Sequence, residues 1–163
     1  MEGATGRVQS STSAELAVTQ AAAAGRTFVD TDILLYAYDV ADEHRHPVAV
    51  ERLGQLWAHG TGVISTQVLQ EFYVVATRKL AQPLPRAAAR EVIADYSTWP
   101  VVPVDPTLVL SASMLEERET LSFWNALIVG AAQRGGAVRV LSEDLQHGHV
   151  IGTVTIENPF ANP

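Results

Sequence analysis

Cysteine is absent from the chain, and lysine occurs once, at Lys79. The first absence removes disulfides and thiolate metal sites, so oxygen and imidazole are the available ligands for any metal. The second, together with a formal charge of −7, removes the basic stripe with which proteins grip duplex nucleic acid regardless of sequence. A nucleic-acid substrate must therefore be held by local arginines. Long hydrophobic runs are missing too. No stretch reaches the roughly 18 apolar residues that span a bilayer, and 1–26 has no apolar segment behind a basic start, so a cytoplasmic protein without membrane contact is expected.

What is present suits a folded enzyme-sized domain. A length of 163 residues allows one core and not two comfortable ones, and 47% hydrophobic with 18% charged residues is far from the disordered regime. Residues 1–26, rich in Ser, Thr, Ala and Gly with a possible short helix through Ala14–Ala24, read as a poorly ordered leader. Residues 27–163 read as the domain.

The organising stretch is Thr27–Asp39, TFVDTDILLYAYD. Thr27, Phe28 and Val29 suit a buried strand. Asp30, Thr31 and Asp32 can each cap the helix that carries Ile33, Leu35, Tyr36 and Val40. Asp30 is then either a cap or an acid placed for chemistry, because ligands of open α/β sheets bind at the carboxyl ends of the strands. Pro47 opens a helix with Val48, Val50, Leu53, Leu56 and Trp57 inward, ended by His59-Gly60. Gly62–Ser65 is a second strand, and Ser65 or Thr66 caps a helix over Gln67–Leu80. On that helix Glu71 sits among Val68, Phe72, Val75 and Ala76. An acid there must lie at the stripe edge, be paired or protonated, or bind a cation.

After the Pro83 and Pro85 break, a helix runs to Tyr96. Val101–Val104 is a strand that its proline demotes to an edge, and Pro106 opens a helix through Val109, Leu110 and Met114. Leu121–Ala132 is apolar on every face and is read as a buried helix capped by Ser122, with Asn125 in its first turn free to answer a backbone N–H. Val138–Leu141 is a strand followed at once by Ser142-Glu143-Asp144, and Val154–Ile156 is the last strand. Alternating strands and helices imply a mainly parallel sheet of about five strands between helical layers, an α/β/α sandwich. Asp30, Glu71, Asn125 and Asp144 can then face one cleft.

The order FVDTDILLYAYD, STQVLQEFYVVATR, LSFWNALIV, VLSEDLQHG resembles PIN-domain ribonucleases, specifically the VapC toxins of bacterial type II toxin–antitoxin systems, over about Thr27 to Phe160. The resemblance implies a PIN-like sandwich in which Asp30, Glu71, Asn125 and Asp144 bind Mg²⁺ or Mn²⁺ for endoribonuclease catalysis. Thr31, Asp32 and Ser142 are supporting positions. It further implies an RNA substrate, neutralisation by a VapB-like antitoxin, and homodimers. This chain carries Asn125 where that family usually has Asp, which implies reduced activity. The chemistry agrees, since hard divalent cations prefer oxygen ligands and relieve repulsion among clustered carboxylates.

Two alternatives differ in kind. One keeps the fold and drops catalysis, leaving an RNA- or antitoxin-binding protein. The other is a haloacid-dehalogenase-type phosphatase, suggested by Asp30-Thr31-Asp32 but opposed by Leu34 at a hydroxyl position and by the lack of a later Gly-Asp-x-x-x-Asp. The pairs His44/His46 and His147/His149 lack the spacing of a zinc helix. Arg78, Arg86, Arg90, Arg134 and Arg139 are weak candidates for phosphate contacts.

Overall fold

The computed structural model describes residues 12–16 and 24–161. The leader expected over 1–26 lies largely outside these; of its helix, Ser13–Leu16 is described and helical. From Arg26 onward the strands are β1 (Arg26–Val29), β2 (Gly62–Ser65), β3 (Val101–Val102), β4 (Ala137–Leu141), β5 (Val150–Ile151) and β6 (Val154–Glu157). The helices are α1 (Thr31–Tyr36), α2 (Arg45–His59), α3 (Thr66–Arg78), α4 (Arg86–Tyr96), α5 (Pro106–Glu119) and α6 (Phe123–Arg134).

The strands form one sheet in the order β3-β2-β1-β4-β6-β5. All neighbours are parallel except the β5–β6 hairpin, which turns at Gly152 with φ 60°. The sheet has six strands instead of about five, the sixth being β5, two residues long and too short to leave a periodic signal. From β1 the chain builds outward through β2 to β3, then crosses back to β4 on the other side of β1. Right-handed crossovers put the helices of these two halves on opposite faces. The contacts agree: α1 packs on α2 and α3, and α3 on α4, whereas α5 packs on α6, which lies against β2, β3, β4 and β6. The connections reverse between β1 and β4, which makes their carboxyl ends the topological switch point where such sheets bind ligands.

Local chemistry sets the helix ends. Ser65 accepts from the Val68 N–H, Asp105 from the Leu108 N–H and Ser122 from the Asn125 N–H. Gly60, at φ 65°, ends α2 as a left-handed cap. Three expectations shift. The first helix stops at Tyr36 instead of reaching Val40, because Tyr38 and Asp39 bond back three residues to Leu35 and Tyr36, tightening the turn. α2 begins at Arg45, two residues before Pro47, because the Asp42 carboxylate accepts from the His44 and Arg45 N–H groups. The inward stripes of α2 and α5 are Ala49, Leu53, Leu56 and Leu108, Ala112, Leu115, while Val50, Val109, Leu110 and Met114 are exposed. In both stripes a fully buried alanine stands where the close-packed interior has no room for a larger side chain.

Among the described residues no helix is long and apolar enough to cross a membrane. Trp57 of α2, Tyr96 of α4 and Trp99 form a ring cluster with centroids 4.9 to 5.1 Å apart. Gly62 lies directly under the Trp99 ring, and a methyl group on its Cα would overlap that ring. Because Trp99 is pinned by Trp57 and Tyr96, it cannot swing aside cheaply. Gly62→Ala is expected to destabilise the fold by about 1–3 kcal/mol, the usual cost of overpacking, read as a lower urea midpoint with a change in tryptophan emission.

Candidate metal centre

The site grows from the ends of β1 and β4. The Asp30 N–H donates to the Leu141 carbonyl at 3.0 Å, tying the last residue of β4 to the first residue past β1. Asp30 is 5% exposed. Its Oδ1 accepts from the Thr31 N–H and its Oδ2 from the Ser142 hydroxyl, both at 2.7 Å. The cap reading and the chemical reading of Asp30 therefore hold together, since one carboxylate both opens α1 and faces the cluster. Ser142 is fully buried and also accepts from the Asp144 N–H, so a single hydroxyl positions the acids that follow both strands.

Asp32 accepts from the Ile33 N–H at 2.7 Å and from the Glu143 N–H at 3.0 Å. Carboxylate oxygens of Asp30, Asp32 and Asp144 lie within 4.8 Å of one another, with Asp30 buried, Asp32 half-buried and Asp144 exposed. Glu71 stands beside this trio: its Oε2 accepts from the Thr31 hydroxyl at 2.7 Å and its Oε1 from the Gln67 amide at 3.0 Å. Both oxygens of this acid are satisfied by hydrogen bonds from Thr31 and Gln67, and not by an arginine. Asn125 sits half-buried in the first turn of α6, at the same sheet edge. Its backbone N–H is on Ser122, and no hydrogen bond joins its side chain to the acids.

Burial and mutual repulsion both disfavour the charged forms of Asp30 and Asp32. Burial pushes the Asp30 carboxyl from its ordinary 3.8 up to about 6, against the opposing pull of Ser142 and Thr31, and the Asp144 and Glu71 charges add to the rise. Burial pushes Asp32 to about 8, with the Asp30 charge as the next cause. The donor set is all oxygen and highly charged, which fits Mg²⁺ or Mn²⁺ and not a soft metal. Histidine takes no part: His46 Nδ1 meets the Tyr36 carbonyl, and His147 Nδ1 accepts from the Asn158 N–H. Arg134 and Arg139 pair with Asp105 and Glu157. Arg78, Arg86 and Arg90 are exposed.

A cleft of about 490 Å³ opens over the acids, lined by Thr31, Asp32, Leu35, Gln70, Glu71, Val74, Val75, Lys79 and Asp144. The family model of the PIN domain matches residues 27–151. The chain belongs to the PIN domain family. This membership decides against the phosphatase alternative. Two solved structures share the PIN fold. The crystal structure of Mycobacterium tuberculosis VapC20, a sarcin-ricin loop cleaving toxin, is 23% identical, covering 72% of this chain and 91% of that one, with a TM-score of 0.56. A toxin–antitoxin complex from Klebsiella pneumoniae is 18% identical, covering 82% of this chain and 97% of that one, with a TM-score of 0.59. No curated relative matches the sequence.

Two contributors to this PIN site escaped the sequence reading. Gln67, which holds Glu71, had a signal in its spacing of four residues on one helix face. The Glu143 N–H, which holds Asp32, had none, because it depends on how β4 ends beside α1. The raised acids also fix a pH dependence. A carboxyl that keeps its proton longer in the folded chain than in the unfolded one stabilises the fold at low pH and loses that contribution as pH rises. Without metal, this contribution is expected to be full below 3.8 and to fall as pH passes about 6 and about 8. Denaturant titrations in chelator should show the decline, and Asp32→Asn should flatten its slope. Saturating Mn²⁺ should raise the midpoint more at pH 8 than at pH 5, because at the lower pH the cation must displace protons.

Proposed function

We infer that this PIN domain is a divalent-cation-dependent endoribonuclease of the VapC toxin kind, acting in the cytoplasm. The observation that carries the reading is the convergence of Asp30, Asp32 and Asp144 within 4.8 Å at the switch point of the sheet, with Glu71 beside them and an open cleft above. Asp30, Asp144 and Glu71 are the proposed ligands, with Asp32 joining the trio and Asn125 offering a neutral oxygen. Bound Mg²⁺ or Mn²⁺ would supply Lewis acidity toward a phosphodiester and acidity toward water. The chain's own part is electrostatic and positional. Ser142 and Thr31 fix Asp30, the Glu143 N–H fixes Asp32, and Gln67 with Thr31 aims Glu71. A carboxylate of the cluster stands ready to take the proton of the attacking water.

The bare acids repel the phosphate backbone, so a bound cation serves RNA binding as well as the reaction. An antitoxin partner, by this reading VapB-like, would silence the enzyme most economically by bringing a cationic side chain to the same acids. A homodimer belongs to the same proposal.

The test is cleavage of RNA with Mg²⁺ or Mn²⁺ present or chelated. Asp144→Ala is the cleaner blank, because Asp144 is exposed whereas Asp30→Ala would strand the buried Ser142 hydroxyl. Asp144→Ala is expected to lower cleavage by at least about 100-fold, a loss typical of removing a group that stabilises developing charge, with an unchanged melting midpoint. Wild type that cleaves no more than Asp144→Ala or the chelated control would leave the degenerate binding-protein reading in its place. Asn125→Asp is nearly isosteric and puts a negative charge in the first turn of α6, where the helix dipole favours it. It is expected to raise cleavage at limiting Mg²⁺ by at least about tenfold, equivalent to about 1.4 kcal/mol of barrier.

A further inference from the structure

The cleft extends well beyond the acids, and its far end is cationic. Gln67, Glu71, Val75 and Lys79 recur every four residues along α3 and its cap, so they share one face of the helix. Eight residues separate Glu71 from Lys79, roughly 12 Å of helix axis. Lys79, the C-cap of α3, lines the same cleft as the acids. Between the two charges the lining is apolar: Leu35 from α1, Val74 and Val75 from α3. Lys79 is exposed and, among the described residues, forms no ion pair, although Asp32, Glu71 and Asp144 line the same cleft. The only lysine of a chain with 18 acids against 11 basic residues is thus an uncommitted cation in a cleft otherwise lined by acids and neutral groups.

We propose that Lys79 anchors a backbone phosphate of single-stranded RNA flanking the phosphate that reaches the acids, while a base of that segment sits on Leu35, Val74 and Val75. This rests on the ribonuclease reading and adds to it the form of the substrate and its binding register. An ammonium suits a phosphate as a point charge with three donors. An apolar seat needs an unstacked base, which a single strand or loop supplies and a duplex does not. The Gln70 amide, in the same wall, can meet a base edge with either a donor or an acceptor.

The experiment uses the full chain and a short fluorescein-labelled single-stranded oligoribonucleotide. Steady-state cleavage is followed in Mn²⁺, and binding is followed by anisotropy in Ca²⁺ over a series of salt concentrations. Lys79→Ala is expected to raise KM by about tenfold, the scale of one charge-assisted hydrogen bond, with kcat changed far less. It should also reduce the salt slope of binding by about 0.7, the value for one phosphate contact on a single strand. Lys79→Arg should restore most of both. Val74→Ser, at an exposed position, should weaken binding with the salt slope intact, and a duplex of the same sequence should compete poorly. Cleaving wild type with unchanged KM and slope in Lys79→Ala overturns the anchor alone. Unchanged binding by Val74→Ser, or equal competition by duplex, overturns the base seat. Wild type that cleaves no RNA in any divalent cation overturns the ribonuclease reading, and this proposal with it.

Discussion

The Asp30 carboxylate, buried at the meeting of β1 and β4, is the constraint on which the rest of the site depends. It accepts from Thr31 on its own helix and from Ser142 past β4, while its backbone N–H holds the end of β4. The bonds to Ser142 and Leu141 join the two halves of the sheet where the connections change direction. A buried carboxylate is costly unless its oxygens are satisfied. The Ser142 hydroxyl that satisfies it also holds the Asp144 N–H, and the Glu143 N–H beside it holds Asp32, so the three carboxylates come within 4.8 Å. Fold closure and assembly of the acid cluster are one arrangement.

α3 forms the second half of the site and measures it out. Ser65 at the end of β2 caps the helix, fixing its start at the ligand edge. Gln67 and Thr31 hold Glu71 one and a half turns in, and the helix then carries the cleft wall to its cap at Lys79. Its buried stripe of Val68, Phe72 and Ala76 anchors it on the core. The polar face can therefore keep its spacing whatever occupies the cleft.

A peripheral network steadies the β4 side. Glu143, between two of the site's polar residues, accepts from the Tyr36 hydroxyl and pairs with Arg45, whose guanidinium also lies over the Tyr36 and Phe160 rings. Glu157 bonds both Arg52 and Arg139 at the end of β6, and these cations hold its carboxyl below the usual range. Such half-exposed pairs contribute little each. Their geometric effect is larger, because they fix the loop after β4 whose amide reaches Asp32.

The alternation of elements, the caps at Ser65 and Ser122, the end of α2 at Gly60, and the strand-end placement of Asp30 and Asp144 are all written in local residue patterns. These follow from short-range chemistry: β-branched runs, capping oxygens and a left-handed glycine act on neighbours within four residues. The remaining features depend on packing between elements far apart in the chain. Hydropathy favoured Val50, Leu110 and Met114 for the core, but packing density selected Ala49 and Ala112, because a helix lying close to its neighbours needs small side chains there. The two-residue β5 exists only because β6 pairs with it. Asp32 reads as a second cap in sequence. It joins the trio because the Glu143 N–H, 111 residues away along the chain, holds its other oxygen, and the distance between such groups is set by the register of β1 against β4, which no local pattern encodes.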